Sequence, residues 1–189
     1  MPTSTTALAA LHAEYSDHAT QPALTLTLDQ RRGVAFYLAD TDDAVEVESF
    51  VRRWTDRVHD LDDFVDEHGR MPRADSTRPR PATAEQTLVD ALTYFRQIGA
   101  AGGYCSYQVR RLEAVPGFAW NPRDAQWSSM LDAHQQFWAD HQRPPRRRAT
   151  DPAEVTIGRW VAQQRAQHAR GRLLPEREQQ LRAARFRVL

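Results

Sequence analysis

The sequence predicts an all-α chain: two tandem three-helix repeats preceded by an acidic helical N-terminal segment. Three observations carry this. The chain repeats itself, its apolar residues recur every three or four positions, and strand-like alternation is confined to one short stretch. With Trp54 placed over Trp127, His68 falls on His141, Arg70 on Arg143 and Pro72 on Pro145. "WTDRVHDLDDFVDEHGRMP" and "WSSMLDAHQQFWADHQRPP" are thus two versions of one pattern. The first version has four extra residues in the following loop. After them Leu88 falls on Ile157, Leu92 on Val161, Arg96 on Arg165, Gly102 on Gly171 and Leu112 on Leu181. One further insertion brings Phe118 onto Phe186. The implied organisation is 1–49 as the acidic segment, 50–123 as a divergent first repeat and 124–189 as the second.

Taken in order, "TTALAALHAEYSDH" reads as a helix. "ALTLTL", Ala23 to Leu28, is the one stretch with strand alternation. "DTDDAVEVESFVRRW" predicts a helix running into the first repeat, with Thr41 or Asp42 as its cap. Leu11, His18 and Pro22 echo the spacing of Leu61, His68 and Pro72, which would make residues 1–49 a decayed third copy. In the second repeat Trp127, Leu131, His134, Trp138 and His141 mark an amphipathic helix. "RPPRRRATDP" breaks it, since proline cannot continue a helix. Asp151 before Pro152 predicts an N-cap with a first-turn proline. Ile157, Trp160, Val161 and Gln164 set the second helix and Gly171 its stop. Pro175 opens the third, with Glu176 and Glu178 near its positive end. Leu181, Ala184 and Phe186 are expected to close the core.

At 189 residues, with 41% hydrophobic and 26% charged residues, the chain is of a composition that folds. No apolar run approaches the roughly 20 residues that span a bilayer, so no membrane association is expected. The N-terminus lacks the basic and apolar regions of a signal peptide, so the expected location is cytoplasmic. One cysteine, Cys105, excludes an intramolecular disulfide and a multi-cysteine zinc site.

Charge is unevenly spread although it sums to zero. Residues 1–50 carry two Arg against eight acidic residues; 51–126 carry eleven of each; 127–189 carry twelve Arg against six. The last third is therefore a candidate anion-binding face. Every basic residue is Arg, which suits bidentate phosphate contact, although the absence of Lys reads first as the mark of a GC-rich bacterial genome.

The second repeat supplies Trp127, His141, Pro145, Ile157, Gly158, Trp160, Gln164, Arg165, Gly171, Leu173, Glu176, Arg177, Leu181 and Phe186. The first supplies Trp54, His68, Gly69, Pro72, Leu88, Arg96, Gly102, Leu112, Phe118 and Trp120. On these residues the chain, from about 50 to 189, resembles the helicase-associated domain found in tandem behind the motor of bacterial helicase-like proteins. The resemblance implies a three-helix repeat and a nucleic-acid-binding role. The first repeat departs from the pattern, reading "LVDAL" where the family has L-G-x-W, and "YCSYQ" where it has L-s-x-E-R. In the second, Leu174 stands where a capping Ser is usual, and Val188 replaces the closing Trp. No G-x-x-x-x-G-K-[ST] phosphate loop occurs, so no helicase motor is expected here.

No other chemistry competes well. Trp54, Trp127 and Trp160 lie on apolar seams and read as core, with Trp138 more exposed. His134 and His141 are seven apart with no third ligand, so neither a metal nor a cofactor is expected. His68 and His141 are expected to hydrogen-bond the loop backbone. Ser106 and Cys105 have no visible activating base, the carboxylates follow a solvated helix face, and no small-molecule substrate is evident, so the chain is not expected to be an enzyme. What remains is Arg146, Arg147 and Arg148 in the loop, with Arg159, Arg165, Arg170, Arg172 and Arg177 on and after the second helix. These are the candidate nucleic-acid contacts, with Arg165, Arg172 and Arg177 expected to converge through the turn. The expected function is a non-catalytic accessory module that grips the phosphates of nucleic acid, DNA foremost. The alternative is a protein-interaction adaptor using the acidic segment and a surface between repeats.

Overall fold

The computed structural model describes residues 4–43 and 46–189. Among them are eight α-helices, one short 3-10 turn and no strand. The helices are α1 (Ser4–Ala19), α2 (Leu28–Asp40), α3 (Ser49–His68), α4 (Ala84–Ala100), α5 (Ser106–Glu113), α6 (Pro122–His141), α7 (Pro152–Ala169) and α8 (Pro175–Ala183). None of the described helices is long and apolar enough to cross a membrane. The chain divides into two compact units, Met1–Trp120 and Asn121–Leu189.

The alternation of Ala23 to Leu28 does not become a strand. Ala23–Thr25 form the 3-10 turn, and Thr27 caps α2. Its hydroxyl accepts from Gln30 N–H, while the Gln30 carboxamide accepts from Thr27 N–H, a reciprocal capping box that decides for helix over strand. Thr41 and Asp42 do not begin a helix either. Thr41 ends α2, and α3 starts later, at Ser49 after Glu48. Ala44 and Val45 of that stretch lie outside the described residues, as do Met1 to Thr3.

In the first unit α2 packs against α1, α3 and α5, and α3 against α4. Val51, Trp54, Val58, Leu61 and Val65 form a single stripe on α3, and it meets Phe36 and Tyr37 of α2 and Leu92 and Phe95 of α4. Residues 1–49 therefore share the core of residues 50–120. Cys105 lies in this core as the cap of α5, its N–H and thiol both facing the Gln108 carboxamide oxygen. Burial raises its thiol pKa, so it is held in the unreactive form.

One polar cluster is enclosed in the first unit. Asp40, at the end of α2, faces donors on three other helices: His12 Nε2 at 3.1 Å, His59 Nε2 at 2.7 Å, Tyr107 Oη at 2.5 Å and Arg111 Nε at 2.7 Å. Arg111 reaches Asp62 as well, at 2.5 Å. Burial alone would raise the Asp40 carboxyl pKa, but the bonds from His12 and His59 and the Arg111 charge outweigh it and hold the group ionised. Burial and the Asp40 carboxylate together push the Tyr107 hydroxyl far up, so it stays a donor.

The second unit has a smaller core of Trp127, Trp160, Val161, Leu181 and Val188. Trp127 and Trp160 meet edge to face at 5.9 Å, and the Trp127 indole donates to Gln164 at 3.0 Å. Val188 closes this core, whereas Ala184 and Phe186 are only half-buried. The reason is a bracket: Gln135 accepts from Phe186 N–H at 2.8 Å and donates to its carbonyl at 3.0 Å, holding the end of the chain extended. Phe186 then stacks on Trp138 at 5.4 Å, which keeps Trp138 at the periphery while Phe137 is buried.

Candidate nucleic-acid interface

In the second unit the loop between α6 and α7 is fixed from three directions. Its first residue, Arg143, forms a two-pronged ion pair with Glu154 of α7, at 2.5 and 2.9 Å. Glu154 also accepts the backbone N–H of Arg146 at 2.9 Å. Arg143 is the main cause that lowers the Glu154 carboxyl pKa to about 2. Pro144 and Pro145 stiffen the stretch between. Beneath it lies Gly158: a Cβ there would come within 2.7 Å of the Arg146 carbonyl carbon and oxygen and 2.8 Å of Arg147 N. Glycine is needed at this point of α7 because backbone rests on backbone.

This seat carries three of the expected arginines on one loop, and a fourth follows the glycine beneath it in sequence. Arg146, Arg147 and Arg148 lie on the seated loop, and Arg159 follows the glycine that carries it. All four are exposed, and among the described residues their side chains make no ion pair or hydrogen bond. Arg170 and Arg172 are equally exposed and unpaired, but they lie beyond the end of α7. At 1.5 Å per residue they are roughly 17 Å further along its axis. Gly171 between them has φ 61°, the left-handed turn expected of a helix stop.

The other two are occupied separately. Arg165 donates through Nε to the Val188 carbonyl at 2.6 Å, tying α7 to the C-terminal segment. Arg177 pairs with Asp124 at 2.6 Å, and its guanidinium lies 5.2 Å from the Trp127 ring centre. Arg165 and Arg177 are thus each engaged by the fold, on partners that Arg172 does not share. One ion pair and one bond to a backbone carbonyl engage Arg177 and Arg165.

Both histidines before the loop act differently from expectation. His68 and His141 bond through Nδ1 to carbonyls of their own helices, Phe64 at 3.0 Å and Phe137 at 3.1 Å, and each stacks on that phenylalanine. The loop backbone is held by the Arg–Glu clamp instead. Sequence reading paired Arg70 with Arg143 but passed over Glu85 and Glu154. Their matching offset, 69 residues, was the available signal. His134 is fully buried, and burial, with Arg165 nearby, lowers its pKa, so it packs as a neutral core ring. Among the described residues no cluster of His, Cys, Asp or Glu could hold a metal.

As expected, Asp151 caps α7 by accepting from Ala153 N–H at 2.9 Å, and Pro152 and Pro175 open α7 and α8. Leu174 precedes α8 without a side-chain cap bond, consistent with its standing in a serine's usual place. No curated protein and no solved structure matches the chain. The family model described as helicase associated domain does match over residues 124–188, the segment bearing the seated loop, α7 and the turn after it.

Proposed function

We propose that this chain is a non-catalytic accessory module that binds nucleic acid through the second unit, mainly by its phosphates. The observation that carries the reading is the seated loop. Three adjacent arginines are held unpaired on a proline-stiffened, clamped backbone, and a fourth, Arg159, follows the glycine beneath it. Because the backbone that carries them is already fixed, only the side chains lose freedom on meeting phosphate oxygens, and each guanidinium can donate bidentately to a phosphate. Arg170 and Arg172 extend the reach along α7 by about five base-pair steps at 3.4 Å per step. Arg165 and Arg177 belong to the interface as supports that fix the turn and the C-terminal segment. The loop contacts are expected to be indifferent to sequence, as phosphate contacts are, and Arg159, Gln163, Gln167 and Arg170, which share one face of α7 and its C-cap by helical spacing, are the residues to examine for any base preference.

The reading includes the duplication. Residues 50–123 and 124–189 are two copies of one three-helix unit, and paired features within each support it. Arg70 clamps Glu85 as Arg143 clamps Glu154, and Arg73 N–H joins the first clamp as Arg146 N–H joins the second. Gly69 and Gln142 both end their helices left-handed. Arg96 donates to Ala119 as Arg165 donates to Val188. The first copy keeps the clamp but has no run of arginines after it: "RADSTRPRPATAEQ" stands where the second has "RRRATDPAEV".

The test is fluorescence anisotropy with labelled duplex and single-stranded DNA at several salt concentrations. Arg146→Ala with Arg147→Ala and Arg148→Ala should weaken binding and lower the salt slope by roughly 0.9 per lost contact on duplex. Residues 124–189 alone should bind at least as well as the whole chain, since the strongly acidic first 50 residues are then gone. If that segment binds neither form at low salt, the proposal fails. The adaptor reading would then take over, with Leu24 (95% exposed) and Leu28 as the apolar surface to examine.

A further inference from the structure

The first unit contains a groove of about 770 Å³, within the range of small-ligand sites. One wall is α3, where Phe50, Arg53, Trp54 and Arg57 recur at helical spacing and so share a face. The opposite wall is α4, with Ala91 and Tyr94. Phe50 and Tyr94 keep about half of their surface in solvent, 53% and 48%, an uncommon placement for two large rings lining one groove. At its base are two polar atoms without a proper partner. The Trp54 indole N–H is buried and makes no hydrogen bond, and neither does the Tyr104 hydroxyl. The two rings lie 6.2 Å apart, and the Trp54 N–H lies near enough to the Tyr104 hydroxyl to hold back part of the pKa rise that burial causes, without the geometry of a full hydrogen bond.

The rim is basic. Arg53 and Arg57 are exposed, and among the described residues neither makes an ion pair or side-chain hydrogen bond. Arg32 spends one N–H on the Gly103 carbonyl at 3.1 Å. The one carboxylate in the lining, Asp90, is already engaged by Gln86 at 3.0 Å and Arg80 at 3.5 Å.

The groove has a simple origin if the two units are copies. Ala91 stands at the position of Trp160, by the offset that relates Glu85 to Glu154 and Arg96 to Arg165. In the second unit the Trp160 indole fills its position, and the facing Trp127 N–H is satisfied by Gln164. In the first unit an alanine leaves the space open, and Phe95 at the Gln164 position leaves the Trp54 N–H unmet. Half-exposed aromatic rings around an open groove are left to water, and a flat ring that covers them gains contacts of the kind Trp160 makes in the second unit.

We infer that this groove binds a nucleoside phosphate, its base between Phe50 and Tyr94 over the Trp54 indole, and its phosphate on Arg53 and Arg57. Aromatic walls accept any base, because every base has a π-face, and the paired arginines call for an anion. The ligand has two possible sources, a free mononucleotide or one nucleotide of a single strand. The inference goes beyond the arginine loop and uses none of its residues.

The experiment follows the five tryptophan indole N–H signals of the ¹⁵N-labelled full chain during titration with AMP, UMP, (dT)8 and inorganic phosphate. Trp54→Phe identifies its signal. A saturable shift of the Trp54 signal with nucleotide, absent with phosphate alone, is expected. Arg53→Glu with Arg57→Glu, both on the surface, should weaken it at least tenfold. Ala91→Trp should abolish it, with the remaining spectrum reporting that the chain is folded. Changing Arg146, Arg147 and Arg148 to Ala should leave it intact, which separates this site from the loop. A mononucleotide binding as tightly as (dT)8 would indicate the free ligand, and (dT)8 binding tenfold tighter the strand; either supports the site. No shift at millimolar nucleotide, an equal shift with phosphate alone, or a shift indifferent to the charge reversal would overturn the inference.

Discussion

Asp40→Asn should unfold the first unit under conditions where the parent chain is folded, at a cost of about 3–5 kcal/mol. The size follows from what remains behind. Arg111 is 3% exposed and cannot lose its proton, so without Asp40 its charge is buried against Asp62 alone. The Asn side chain is the right shape but carries one acceptor oxygen where four donors converge, and an unmet buried donor adds its own penalty. Asp62 keeps one bond to Arg111, which places the expected value toward the lower end. Hydrogen exchange followed by mass spectrometry would report each unit separately. Protection should collapse across α1 to α5 and persist in α6 to α8. A stability change below half a kcal/mol would mean that the cluster is not fully desolvated.

The same cluster sets a pH window. The folded-state pKa of Asp40 lies below its unfolded value near 3.9, so its contribution is present above that value and is lost as pH falls through the folded one. His59 runs the other way. Its bond to Asp40 raises its pKa, so its contribution is complete below about 6.5 and disappears as pH rises through the folded value. Stability of the first unit should therefore be highest between about pH 4 and 6.5 and decline on both sides. Urea midpoints of the parent chain, measured across pH, should trace both limbs.

Trp160→Ala is the second large effect, about 3–5 kcal/mol. The second unit's buried core has five members, so this one indole is a large share of it. A domain of this size holds only a few kcal/mol in reserve, so the loss should unfold α6 to α8 and release Phe186 from its bracket. The readout is loss of amide protection confined to residues 121–189. Unchanged stability together with lost binding would instead move Trp160 from the core to the contact surface.

The helices and seams were readable because each rests on local signals: Asp151-Pro152, Pro175, Gly171, and the spacing of Trp127, Trp160 and Val161. The Thr27 cap was equally local, but "ALTLTL" concealed it, because alternating Leu and Thr read as a strand until Gln30 is paired with Thr27. Asp40 was illegible. It is one acidic residue among eight in its stretch, and its partners sit up to 71 residues away on other helices. The arginine interface was half legible. Charge asymmetry pointed to residues 127–189, but nothing in the chain says which guanidinium groups the fold has already engaged, as Asp124 engages Arg177.

The place of Asp40 on α2 also bears on how such units travel between proteins. The helices α6 to α8 hold their own clamp, core and closing segment, so one recombination event could carry them intact to a new chain. The helices α3 to α5 cannot move that way. Their buried guanidinium draws its principal counter-charge from a helix outside the set, and a transplant beginning at residue 50 would carry Arg111 without it. The first set is heritable only together with the residues before it, and that dependence gives the acidic segment a structural reason to be retained.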